Sequence, residues 1–115
     1  MGFLTAEEIV EANDQQVHVM EVPEWGGQIG IRVMTAGERD AHELEWMNGK
    51  ERGVTNFRSK FLAKIISDKD GKRLFSDAKI RALSEKSGAV CQRIFEEGLK
   101  YNAVTDQDVE DMAGN

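Results

Sequence analysis

Apolar residues change their spacing several times along this chain, and each change marks an element. Ile29, Ile31 and Val33 alternate with Gly30, Arg32 and Met34, the period of two expected of a strand with one buried face. A second strand-like run begins at Val17 and leads into Pro23, Glu24, Trp25, Gly26 and Gly27. The glycine pair supplies the positive φ of a tight reversal, and Pro23 falls where no ladder N–H is needed. Residues 17 to 34 therefore predict a β-hairpin.

Helical spacing surrounds it. Thr5-Ala6-Glu7-Glu8 is a capping box with Leu4 and Ile9 at the staple positions, which predicts a short helix from about Ala6 to Asn13. Thr35-Ala36-Gly37-Glu38 repeats the box and opens a helix toward Met47, closed by Asn48-Gly49. Ala41, Leu44 and Met47 form its expected inner face, with Arg39, Asp40, Glu43 and Glu45 toward solvent and Trp46 at the boundary. After a polar connection from Lys50 to Thr55, the stripe Phe57, Phe61, Leu62, Ile65, Ile66 predicts another helix. Asp68-Lys69-Asp70-Gly71 breaks it, Leu74-Phe75 returns to the core, and Ser76-Asp77 caps a helix carrying Ile80 and Leu83. Ser87-Gly88 precedes a longer helix with Val90, Cys91, Ile94, Phe95 and Leu99 on one side and Asn102 as its stop. Thr105 to Asp108 caps a last short helix bearing Val109 and Met112. The fold class is α+β and predominantly helical: a short N-terminal helix and a hairpin (about 17–34) packed on four to five α-helices, with residues 1–115 forming one domain.

Composition adds a bias in charge. Residues 1 to 55 hold four Lys/Arg against eleven Asp/Glu, residues 56 to 100 hold eleven against six, and residues 101 to 115 hold none against four. An acidic, then basic, then acidic chain permits head-to-tail contact between copies or a basic face for an acidic partner, and equally a solvated mixed-charge surface. No apolar run approaches a membrane span, the first twenty residues carry acids where a signal peptide is basic and then apolar, and Cys91 is alone. These point to a cytosolic chain with no membrane partner.

Candidate chemistry is thin. Aligning Gly71 with the sixth position of a calcium loop puts Ile66 where the first carboxylate belongs, so Asp68 to Gly71 reads as a polar turn. His18, His42 and Cys91 have no ligand spacing, which leaves both histidines as surface or boundary residues. Cys91 lies on an apolar stripe, where a free cysteine packs as a small hydrophobe rather than a nucleophile. Arg58, Lys60, Lys64, Lys69, Lys72 and Arg73 cluster as phosphate contacts would, but the acidic total and the missing nucleic-acid signatures weigh against that partner. Trp25 fits either a contact anchor or a side chain packed back on the first helix. No enzyme, metal or cofactor is expected.

The order of these blocks carries a resemblance. VPEWGG, then IRVMTAGERD running from strand into acidic helix, then the DKDGKRLF turn, LSEKS, and Asn102 followed by Thr105 and Val109, is similar to the tail assembly chaperones of long-tailed, siphovirus-type bacteriophages from about Val17 to Met112. The resemblance implies a non-catalytic protein of the host bacterial cytoplasm, absent from the mature virion. It implies binding to the tape-measure protein, a long helical chain whose apolar seams need masking before the tube forms. It also implies a role with the tail-tube protein, through a frameshift-extended form, and homo-oligomerisation. The family has no catalytic motif to carry over. Contact roles fall on Pro23 and Trp25 of the turn and on Arg58, Lys60 and Lys64 of the basic helix. The competing readings are a structural tail-completion or connector protein and a small nucleic-acid-binding regulator.

Overall fold

A computed structural model describes residues 2–49 and 57–103. The chain runs α1 (Ala6–Glu11), β1 (Val17–Val22), a 3-10 turn (Pro23–Trp25), β2 (Gly27–Arg32), α2 (Ala36–Gly49), α3 (Phe57–Ile65), β3 (Ile66–Ser67), a second 3-10 turn (Asp77–Lys79), α4 (Ile80–Ser84) and α5 (Gly88–Tyr101). It is an α+β fold in which helices predominate, as the hydrophobic pattern predicts. The expected connection from Lys50 to Thr55, the last helix from Thr105 to Met112 and the Trp46 side chain lie outside what is described.

The expected hairpin forms, with Val17 opposite Arg32 and Val22 opposite Gly27. Gly26 takes φ 77 at the reversal, a conformation open to glycine at little cost. Two local departures follow from tertiary pairing. The helical stripe ends at Ile65, because Ile66 and Ser67 leave the helix to pair antiparallel with Ile31 and Gly30 as a third strand. That edge runs so close to β2 that a Cβ on Gly30 would stand 2.6 Å from the Asp68 carbonyl oxygen. The alternation in β2 also stops at Arg32, so Met34, not Val33, is buried. Its N–H has turned out of the ladder to donate to the Asn102 side chain at 2.8 Å.

The core lies where the sheet meets α3 and α5. Val22, Ile31, Phe61, Leu62, Ile65, Ile66, Leu83, Ile94 and Phe95 are all fully buried or nearly so. Phe61 and Phe95 meet edge to face with ring centroids 5.4 Å apart, a favoured arrangement of ring quadrupoles. The exposed carbonyls at the end of α3 are taken by arginines from other segments: Arg73 Nε donates to Ala63 O, and Arg32 Nη1 to Lys64 O. Unpaired C-terminal carbonyls are thereby satisfied inside the fold. Arg73 is thus spent on structure.

Both capping boxes form. Thr5 accepts from Glu8 N while Glu8 accepts from Thr5 N, and Thr35 and Glu38 do the same. Ser87 caps α5. Ser76 makes no side-chain cap; the chain enters α4 through the 3-10 turn, and the Asp77 carboxylate accepts from Arg73 instead. The α1 helix buries no residue, so Leu4 and Ile9 stay largely in solvent.

Candidate binding surfaces

The Pro23–Trp25 turn is tied to α5 by a bidentate ion pair, Arg93 Nη1 and Nη2 donating to the two Glu24 oxygens at 2.6 and 2.8 Å. The paired guanidinium lowers the Glu24 pKa to about 2. Pro23 is exposed beside it. Trp25 is half-buried against the hydrophobic core, not on α1, which has nothing buried. The turn is therefore a rigid corner with Pro23 outward and the indole as its foot.

The basic stretch of α3 divides between two sides of the helix. Lys60 and Lys64 turn toward α2, where both ammonium groups reach Glu45, at 3.1 and 3.6 Å. Arg58 points elsewhere: its guanidinium lies over the rings of Phe57, at 4.8 Å, and Phe95, at 5.6 Å. The basic residues singled out on α3 thus do not share one face, Arg58 standing apart from Lys60 and Lys64. Arg58 borders a cavity of about 350 Å³ between α3, α4 and the start of α5, lined by Phe57, Ser59, Leu83, Lys86 and Cys91 among others.

The face that α2 turns inward is polar, the reverse of the expectation from Ala41 and Leu44; the Met47 side chain, the third residue of that expected face, lies outside what is described. Ala41 is exposed and Leu44 is 56% exposed, while His42 is buried. Its neighbours one turn away make the reason plain. Glu38 accepts both Nη atoms of Arg32, Arg39 donates to Asn102 O, and Glu45 holds the two lysines. The Arg32 hydrogen bonds draw the Glu38 pKa down to about 2. His42 lies against Phe61, with ring centroids 5.5 Å apart. Its removal from water, then the nearby charges of Lys64, Arg39 and Lys60, push its pKa down to about 3. His42 is a buried neutral residue, not a boundary one. His18 stacks face to face on Tyr101, with ring centroids 3.6 Å apart.

Sequence reasoning also missed the weight carried by Asn102, read only as a helix stop. Its Oδ1 accepts from Met34 N, and its Nδ2 donates to Arg32 O and Gly98 O. One side chain fastens the end of β2 to the end of α5. Helix-stop chemistry was legible; the long-range partners were not. Cys91 is buried, as its apolar stripe predicts, and burial pushes its thiol pKa up, away from nucleophilic use. Asp68 organises the expected polar turn: its Oδ1 accepts from Lys72 N and Asp70 N, its backbone O accepts from Gly71 N and its N–H donates to Lys72 O, and the Lys72 and Asp70 N–H groups hold its carboxyl below the usual range. Among the described residues, no three His, Cys, Asp or Glu side chains converge as a metal site would require.

A solved structure, the tail assembly chaperone of bacteriophage HK97, superposes on this fold with a TM-score of 0.59. Identity is 19%, and the match covers 83% of this chain and 94% of that one. No family model and no curated protein matches the sequence. The chain has the fold of a tail assembly chaperone.

Proposed function

We propose that this protein is a phage tail assembly chaperone that binds the tape-measure protein, keeps it soluble and promotes assembly of the tail tube around it. The observation that carries the reading is the fold shared with the HK97 chaperone across 83% of the chain, in agreement with the order of sequence blocks from VPEWGG onward. The surface suits the task physically. Phe3, Leu4, Val10, Val19 and Leu74 are large apolar side chains left in solvent on an otherwise closed core. Such side chains can cover the apolar seam of a long helix made before its tube. Pro23 and Arg58 lie at the surface as further contacts; Lys60 and Lys64 would have to leave Glu45 to serve.

A transient chaperone acts in the host cytoplasm and is released as tube subunits polymerise. Quantitative mass spectrometry of infected lysate and purified particles checks this. The chaperone reading expects abundant chain in lysate and none in particles. Stoichiometric copies in particles would establish a structural tail-completion protein instead.

A further inference from the structure

We infer that the cavity between α3, α4 and the start of α5 binds a small phosphate monoester with an apolar or aromatic body. Every charge on its described lining is positive: Arg58 and Lys86 stand there, with no Asp or Glu among them. Neither cation forms an ion pair with a described residue, in contrast to Arg32, Arg73 and Arg93. Burial is the main influence on the Cys91 thiol, raising its pKa, and the Lys86 ammonium opposes it. The lysine charge is therefore felt at the cavity wall.

A buried hydroxyl without a partner points to the same space. Ser59 lines the cavity from α3 at 8% exposure, and its Oγ makes no hydrogen bond with a described residue. That oxygen is not sealed off, so its opening lies toward the cavity. Buried hydroxyls normally find partners, and the other polar side chains of the lining do: Ser84 Oγ donates to Arg81 O and Gln92 Nε2 to the Glu96 carboxylate. Gly88 lines the cavity as the first residue of α5. Ser87 takes up Val90 N with its hydroxyl and Cys91 N with its carbonyl. The Gly88 and Ala89 N–H groups are left for a ligand, at the positive end of a helix of 14 residues.

Ammonium, hydroxyl and amide donors thus share one cavity that carries no negative charge, which suits a phosphate dianion better than a single carboxylate. These donors suffice, so Arg58 can keep its place over the Phe57 and Phe95 rings and contribute only its field. Phe57, Leu83 and Cys91 form an apolar wall for the body of the ligand. At about 350 Å³ the space falls within the roughly 300–1,000 Å³ of small-molecule sites.

Titration of the isolated chain with phenyl phosphate tests this, independently of whether the chain binds a tape-measure protein. Phenyl phosphate should shift the Gly88 and Ala89 amide resonances saturably and protect Cys91 from iodoacetamide. Inorganic phosphate, which lacks the body, and benzoate, which lacks the second charge, should each bind about tenfold more weakly. Lys86→Gln and Ser59→Ala should each weaken phenyl phosphate about three- to tenfold with circular dichroism unchanged, whereas Lys79→Gln, outside the cavity, should leave binding as it is. No saturable shift, an unprotected Cys91, benzoate binding as tightly as phenyl phosphate, or equal losses at Lys79 and Lys86 would each overturn the proposal.

Discussion

α3 and α2 are both amphipathic by sequence, and the fold uses them in opposite ways. α3 buries Phe61, Leu62 and Ile65 against α5, and its stripe could be read directly from spacing. α2 turns Glu38, Arg39, His42 and Glu45 toward the rest of the molecule and leaves Leu44 in water. Periodicity identified the α3 interface because burial of apolar area drives it and area is additive along a helix face. It failed on α2 because the interface there is built of directional pairs, whose partners Arg32, Lys60, Lys64 and Asn102 come from distant parts of the chain.

The largest loss is expected on the apolar side, at α3 and α5. Phe95→Ala removes a ring buried between Phe57 and Phe61 and should cost about 3–5 kcal/mol in denaturant unfolding, enough to leave much of the chain unfolded. Next comes the polar side under acid. His42 stays neutral when folded down to about pH 3, whereas the unfolded chain takes up the proton near 6.5. Its folded pKa is depressed, so stability is full above 6.5 and falls, by up to about 1.4 kcal/mol per pH unit, as pH drops toward 3. His42→Gln should flatten that slope in pH-dependent unfolding; an unchanged slope would mean that the imidazole is hydrated and the α2 face open.

Asn102→Ala sharpens the account of the clamp. It strands the Met34 N–H and takes the side-chain donor from the Arg32 carbonyl, while Gly98 O keeps the backbone N–H of residue 102; this should lower stability by about 2 kcal/mol and raise amide exchange at the ends of β2 and α5 together. The smallest effect is expected at Leu44→Glu, which reads as disruptive by hydropathy. At 56% exposure it should change stability by no more than about 0.5 kcal/mol while weakening any partner that covers this face. A loss as large as that at Phe95 would restore the apolar packing face that periodicity suggested.

Much of the fold was legible from local chemistry. The hairpin, both capping boxes, the α3 and α5 stripes and the Asp68 turn all form where residue type and spacing put them. What was hidden depends on partners distant in sequence: the third strand at Ile66, the buried His42, the arginines that close α3, and Asn102. The surface was legible only in part. Arg58 was picked out by charge, but its separation from Lys60 and Lys64 follows from helical geometry and from Glu45 on another helix.

Co-expression of the tagged chain with the tape-measure protein of its own genome, with pull-down and soluble yield read against the tape measure expressed alone, decides whether the chain is a chaperone. A chaperone should form a specific complex and move the tape measure from the insoluble to the soluble fraction. A tape measure that stays insoluble and unbound beside abundant folded chain would contradict it.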